Sequence, residues 1–169
     1  MASLDRRSVL LGGTALAGLV ALPFVTRAFA EGSGAVPGTF EVTHTEEEWL
    51  AILGPEAYYI MREQGTERPF TSALLGEHRD GTFKCAGCDL PLFDSSTKFE
   101  SGTGWPSFWQ PLDNAVGELT DSTLGMVRTE IHCRRCGGHL GHVFNDGPPP
   151  TGLRYCMDGL ALKFEPKAA

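Results

Sequence analysis

The sequence lacks a sixth cysteine. Five are present in 169 residues, so full disulfide pairing within one chain is excluded and one thiol is left for other work. Basic charge is also scarce: 14 Lys and Arg against 21 Asp and Glu give a net charge of −7. That balance excludes a nucleic-acid backbone as the main partner, because counterion release needs clustered Lys and Arg. The 21 glycines and 11 prolines follow no collagen period, and no internal repeat is visible beyond a doubled Cys-x-x-Cys. With 41% hydrophobic residues the composition is not that of a disordered chain, and the length suits one domain.

The first thirty residues read as an address label. Arg6-Arg7 precedes an apolar run from Val9 to Leu22, and Ala28-Phe29-Ala30 offers a small-x-small cleavage site. Asp5-Arg6-Arg7-Ser8-Val9-Leu10 resembles a twin-arginine export motif, with Asp5 and Val9 departing from its usual residues. Arg27 ahead of the cut fits the same route. The alternative, a membrane anchor, is weakened by a run shorter than the ~20 residues of a comfortable span and by its glycines and Pro23. The expectation is a signal peptide over 1–30, cleavage after Ala30 and a periplasmic protein that meets the membrane only during export. Arg6, Arg7 and Arg27 against Asp5 leave the label at +2 and the rest of the chain at −9.

A Gly/Ser-rich linker follows, with 31–44 ahead of the domain expected over 45–166. Thr45-Glu46-Glu47-Glu48 predicts a helix N-cap and acidic first turn, with Trp49, Leu50, Ile52 and Leu53 as its apolar face. Gly54-Pro55 breaks that helix; Glu56 to Gln64 forms a second, ended by Gly65. Beyond Pro69, turn signals separate candidate strands at 82–85, 107–110, 126–132, 142–145 and 160–164. The fold class expected is mainly β: two short helices, then an antiparallel domain.

Cys85-Ala86-Gly87-Cys88 and Cys133-Arg134-Arg135-Cys136 are two knuckles with 44 residues between them. Four thiolates so arranged make a closed tetrahedral site for a structural Zn²⁺, one per chain. Such a site would order a small, loop-rich domain. A disulfide within each knuckle would close only a very small loop, and a thioredoxin-like pair would need a βαβ setting that the pattern lacks. His132 is set aside as a ligand, since strand alternation points it away from Cys133.

The fifth thiol, Cys156, lies in Gly152-Leu153-Arg154-Tyr155-Cys156-Met157-Asp158-Gly159. On its own surroundings it reads as a small buried hydrophobe. Arg154, two residues away, is a cation able to lower its pKa. His139 and His142, beside glycines, offer a general acid for thiol chemistry or are core or surface residues satisfied by hydrogen bonds, and neither spacing nor composition decides between the two. In Ser101-Gly102-Thr103-Gly104-Trp105-Pro106-Ser107-Phe108-Trp109 the aromatics serve either as core or, for Trp105 on its Gly/Pro turn, as an apolar wall for a ligand.

Taken in order from Thr45 to Pro166, these segments resemble the B-type methionine-R-sulfoxide reductase family. The residues carrying the likeness include Gly65 to Phe70, Arg79 to Gly81, Lys84 to Cys88, Pro91 to Phe93 and Ser101 to Phe108. Arg128 to Ile131, Cys133 to Cys136, His139 to Pro148, Gly152 to Cys156 and Leu162 to Phe164 complete it. The resemblance implies two antiparallel β-sheets with short N-terminal helices and a zinc site of four cysteines. It also implies Cys156 as the nucleophile, His142 and His139 as proton donors, Trp105 as the wall for the substrate methyl and Arg154 as an aid to the thiolate. The implied partners are oxidised proteins and a thioredoxin-like electron donor, with a monomer as the default state. The chain departs from the family pattern twice. Thr103 stands where many members carry a resolving cysteine, which sends the reducing step to an external thiol. Asp158 stands where an Asn amide is usual; an ionised Asp only accepts hydrogen bonds and would raise the Cys156 pKa, unless it is protonated or paired with a neighbour such as Arg154. A zinc-ribbon interaction module with an inert Cys156, and a thiol–disulfide oxidoreductase, are the readings from other classes.

Overall fold

The computed structural model describes residues 38–168. The expected signal peptide, and residues 31–37 of the expected linker, lie outside them. One helix, α1 (Glu46–Glu63), opens the fold. Thr45 and Glu48 cap it reciprocally: Glu48 N–H donates to Thr45 Oγ1 at 3.3 Å and Thr45 N–H to Glu48 Oε2 at 2.8 Å. The break expected at Gly54-Pro55 is a kink inside this helix, where Gly54 takes φ 72 and ψ 169. The helix is closed by Gln64 in the left-handed conformation (φ 56), not by Gly65. Gly65 is needed for another reason: a Cβ there would lie 2.3 Å from the Tyr59 ring.

Among the described residues nine strands follow: β1 (Gly81–Cys85), β2 (Pro91–Asp94), β3 (Lys98–Phe99), β4 (Ser107–Phe108), β5 (Val116–Asp121), β6 (Arg128–Cys133), β7 (His139–Phe144), β8 (Arg154–Met157) and β9 (Leu162–Pro166). They build two antiparallel sheets, β2-β1-β9 and β3-β4-β8-β7-β6-β5. The two-sheet expectation holds, and strands β2, β3, β5 and β8 add to those anticipated. Among the described residues no helix is long and apolar enough to cross a membrane.

The sheets meet on three buried phenylalanines. Phe93 stacks on Phe108 with centroids 4.3 Å apart, and Phe83 meets Phe108 edge-on at 4.9 Å. Phe83 and Phe93 belong to the small sheet and Phe108 to the large one, so the cluster joins the sheets through aromatic area. Leu92, Ile131, Leu140 and Met157 fill the space around it, while Trp49, Ile60 and Met61 of α1 close the core at the cysteine end.

Candidate active site and metal centre

The two cysteine knuckles share one backbone design. Asp89 N–H donates to Cys85 O at 2.9 Å, and Gly137 N–H donates to Cys133 O at 2.8 Å. In each case the residue four after the first cysteine is left-handed, Asp89 at φ 56 and Gly137 at φ 68. Cys85 ends a strand of the small sheet and Cys133 a strand of the large one, so their turns bring four sulfurs together at the junction of the sheets. Cys85 Sγ lies 3.7 Å from Cys136 Sγ, and Cys88 Sγ 3.6 Å from Cys133 Sγ. All four are free thiols within 4.8 Å of one another. A tetrahedron with metal–sulfur bonds of ~2.3 Å has sulfur–sulfur edges of roughly 3.8 Å, so the cluster has the size of a four-thiolate metal site. His132 is not part of it; its ring packs over Gly117, whose Cβ would sit 2.4 Å from Nε2, and edge-on to Phe40.

Cys156 is half-buried on β8, between two strands that present polar side chains beside it. Its cross-strand partners are Ser107 on β4 and His142 on β7, which places all three on one face. Gly141 allows β7 this close: at φ 146, a Cβ there would lie 2.1 Å from the Cys156 carbonyl oxygen. The histidines are three positions apart along β7, which in a regular strand would put them on opposite faces. A register shift resolves this. His132 pairs with His139, Ile131 with Gly141 and Glu130 with His142, so Leu140 is the extra residue of a bulge and both histidines share a face, ring centroids 5.4 Å apart.

Hydroxyls approach the thiol from the turn before β4. Thr103 Oγ1 is 3.8 Å from Cys156 Sγ, and Ser101 Oγ lies 2.8 Å from both Thr103 Oγ1 and Ser107 Oγ. Burial pushes the Cys156 thiol up, and the Asp158 charge adds to this; Thr103, Arg154 and Ser107 pull it down. Arg154 is held by a bidentate pair to Asp146, both contacts 2.9 Å, and its guanidinium lies 4.4 Å over the Phe144 ring. Pairing of Arg154 with Asp158 is therefore not found. Burial instead pushes the Asp158 carboxyl up to about 6.

His142 is oriented by a residue that sequence reasoning missed. Its Nε2 lies 2.9 Å from Asp121 Oδ2, at the end of β5. Asp121 also receives the Thr123 hydroxyl at 2.6 Å and Arg128 Nη2 at 2.5 Å, which hold its carboxyl well below the usual range. Burial lowers the His142 pKa and the Asp121 hydrogen bond opposes it. Trp105 is fixed through its indole, which donates to Glu67 O at 3.2 Å. A depression of about 330 Å³ beside it is bounded by Phe70, Glu100, Gly102 and Gly104. The larger groove, about 1110 Å³, lies along α1 and Leu160–Phe164, away from the thiol's hydroxyl and histidine neighbours.

Fold and site define a class: a two-sheet β protein in which a cluster of four cysteines secures the sheet junction and a separate thiol sits among hydroxyl, imidazole and guanidinium groups. Comparison with known sequences places it further. Residues 53–166 match the SelR domain. Peptide methionine sulfoxide reductase MsrB of Thiobacillus denitrificans (strain ATCC 25259 / T1) is 60% identical over 124 residues, covering 73% of this chain and 94% of that protein. The proteins of the same name from Pseudomonas putida (strain W619) and Agrobacterium fabrum (strain C58 / ATCC 33970) are 56% and 57% identical, over 75% of this chain and 96% and 94% of theirs. The chain belongs to the SelR-domain family of MsrB peptide methionine sulfoxide reductases.

Proposed function

We propose that this enzyme reduces the R epimer of methionine sulfoxide in proteins, with Cys156 as nucleophile. The observation that carries the reading is the register of β4, β8 and β7, which lines up Ser107, Cys156 and His142 on one face with Thr103 and Arg154 beside the sulfur. In the reaction the Cys156 sulfur attacks the sulfoxide sulfur while His142 protonates the oxygen. The oxygen ends on Cys156 as a sulfenic acid, and the substrate leaves as a thioether. An external thiol attacks that sulfenic acid, expelling water, and a second thiol frees Cys156 by forming the reductant's own disulfide. Thr103 supplies no thiol for an internal disulfide, so a thioredoxin-like or small-molecule donor takes this step. Trp105, with its ring anchored on Glu67, walls the pocket for the substrate methyl and sets the epimer preference. Arg154 favours the thiolate, and His139 supports His142.

Cys85, Cys88, Cys133 and Cys136 would hold Zn²⁺, whose softness suits four thiolates and whose contribution is structural order. Residues 1–30 would direct twin-arginine export to the periplasm, in keeping with a protein that loads its metal before crossing. Incubation with the two methionine sulfoxide epimers and dithiothreitol tests the reading. Turnover of the R epimer alone is expected, abolished by Cys156→Ser with zinc content unchanged; reduction of neither epimer by the zinc-loaded protein rejects it. A secreted chain beginning at Glu31 is the outcome expected for the export step, and a retained Arg6-Arg7 segment would exclude cleavage.

A further inference from the structure

Beside Cys156 lies a line of buried polar groups of which the mechanism above uses only His139. Gln64 Nε2–H donates to Glu130 Oε2 at 3.0 Å, and Glu130 Oε1 lies 2.7 Å from His139 Nδ1. His139 Nε2 faces Asp158 Oδ2 at 3.9 Å, and Asp158 Oδ1 accepts the Glu67 N–H at 2.9 Å. Both ends of the line are thus held by one short stretch, Gln64 to Glu67, immediately after α1. Glu67 closes its end a second time, since its Oε1 accepts the N–H of Gly159, next to Asp158, at 2.5 Å. Glu130, His139 and Asp158 are only 2%, 2% and 3% exposed, so their hydrogen bonds must be satisfied inside the protein.

We propose that Gln64 and Glu130 are positioning residues of the reductase site, which lock His139 with Nδ1–H toward Glu130 and Nε2 toward Asp158, and that Asp158 works as a neutral acid donating from Oδ2 to that nitrogen. The inference rests on the reading of Cys156 and His142 as the reacting pair. Geometry fixes each assignment. Both Glu130 oxygens face donors, so Nδ1 carries a proton. In the neutral ring proposed here that leaves Nε2 as an acceptor, and it is buried with no hydrogen-bond partner among the described residues. Oδ1 of Asp158 is committed as an acceptor to Glu67, so Oδ2 is the oxygen free to carry a proton, and a shift of roughly 1 Å closes a normal hydrogen bond. A neutral acid here does what an amide would do, which accounts for a carboxyl at this buried position.

The consequence reaches the chemistry through the second histidine. The His139 ring stands edge-on to His142, and positive charge on it lowers the His142 pKa. A proton kept on Asp158 leaves the His139 ring uncharged, so His142 is free of that repulsion. Loss of that proton removes the donor and places a negative charge near Cys156, which raises the thiol. The groups facing Asp158 are His139 from β7, Glu67 from the stretch after α1 and Cys156 two residues back on β8, with Glu130 of β6 behind His139. Burial holds the Asp158 proton to about pH 6, so the pair changes state on the acidic side of neutrality.

Two measurements on the metal-loaded protein test this. Long-range ¹H–¹⁵N spectra should show His139 protonated at Nδ1 in wild type. Glu130→Leu, which removes the acceptor, should change that signature and cut kcat about tenfold to a hundredfold with little change in KM, as expected for a misplaced neighbour of the acid. The conservative Glu130→Gln keeps an amide oxygen for Nδ1–H, with its NH2 toward a reoriented Gln64, and should retain both tautomer and most of the rate. Meanwhile the kcat/KM of Asp158→Asn relative to wild type should rise as pH passes through about 6. An unchanged His139 signature in Glu130→Leu, or a ratio independent of pH, overturns the inference while wild type still reduces the R epimer. A wild type inactive on both epimers rejects the underlying reading instead.

Discussion

Replacing Thr103 with cysteine should give this enzyme an internal route for the reducing step. Thr103 Oγ1 is 3.8 Å from Cys156 Sγ, and a thiol in its place reaches further from Cβ, leaving roughly an ångström to close to a ~2.05 Å disulfide. Glycines flank the position at Gly102 (φ 72) and Gly104 (φ 93). A Cβ at Gly102 meets open space, so the turn can yield there, whereas Gly104 is clamped, its Cβ position 2.8 Å from Pro69. The new bridge would span 53 residues, and chain entropy alone assigns such a loop about 4 kcal/mol, an upper limit because the turn must strain to close it. The assay is mass spectrometry after one turnover with methionine-R-sulfoxide and no added thiol. Wild type should carry one extra oxygen on Cys156. The variant should instead lose two hydrogens, as its sulfenic acid condenses with the introduced thiol and releases water. It should also unfold at a higher temperature when oxidised than when reduced. Persistence of the sulfenic acid in Thr103→Cys, with no disulfide and no thermal shift, would show that residue 103 does not face the reacting sulfur and would refute the hydroxyl cluster as described.

Arg154→Gln removes the cation beside the thiol, so the Cys156 pKa should rise and its alkylation rate at neutral pH should fall about tenfold; an unchanged rate–pH curve would separate Arg154 from the thiolate. Asp158→Asn should alter stability in a pH-dependent way. With the folded-state pKa raised to about 6, the folded chain holds this proton more tightly than the unfolded chain, so stability falls as pH rises from about 4 to 6, by at most about 3 kcal/mol. The variant should therefore melt above wild type at neutral pH and lose that advantage below pH ~4, while an equal difference at both ends would rule out the buried proton. Phe108→Ala empties the centre of the three-phenylalanine junction and should cost about 3–5 kcal/mol in denaturant unfolding; a cost under ~1 kcal/mol would mean the sheets are joined elsewhere. Chelation or Cys136→Ser should unfold the sheet junction cooperatively along with metal release, and native far- and near-UV spectra in metal-free protein would contradict a structural role for the cluster.

The residues bearing distinctive chemistry were legible in the sequence. The four cysteines declare themselves by spacing, and each pair lies where a short turn needs a left-handed residue, Asp89 or Gly137. Cys156, His142, Arg154 and Trp105 are drawn by the fold into the neighbourhood of one thiol or of the turn leading to it. What stayed hidden depends on contacts between distant parts of the chain. Strand β5 reads Val-Gly-Glu-Leu-Thr-Asp, an edge strand too polar to announce itself, and it delivers Asp121 to His142 from 21 residues away. Gln64 and Glu130 are 66 apart, and no local pattern marks either as belonging to the site. The Leu140 bulge is invisible as well, because strict alternation would have separated the two histidines it brings together. Arg154 illustrates the same limit: Asp158 is its neighbour in sequence, yet Asp146 takes the guanidinium because both oxygens of that carboxylate face it.

A metal bound by the cysteine cluster would tie metal supply to repair capacity. Cys85 and Cys136 are 51 residues apart, and the segment between them carries the Ser101–Trp105 turn, Ser107, Asp121 and Glu130, whereas Cys156 and Asp158 come from beyond it. A metal bound across the four sulfurs therefore cinches a belt around half of the reacting site against a strand arriving from outside the belt. Oxidants that damage methionine also attack free thiolates, so oxidation of the cluster is expected to loosen the belt that carries the hydroxyls and carboxylates around Cys156. A metal held there would act as armour for the four sulfurs at the sheet junction. Under severe oxidation, starvation for that ion would disarm the enzyme as surely as exhaustion of its reductant.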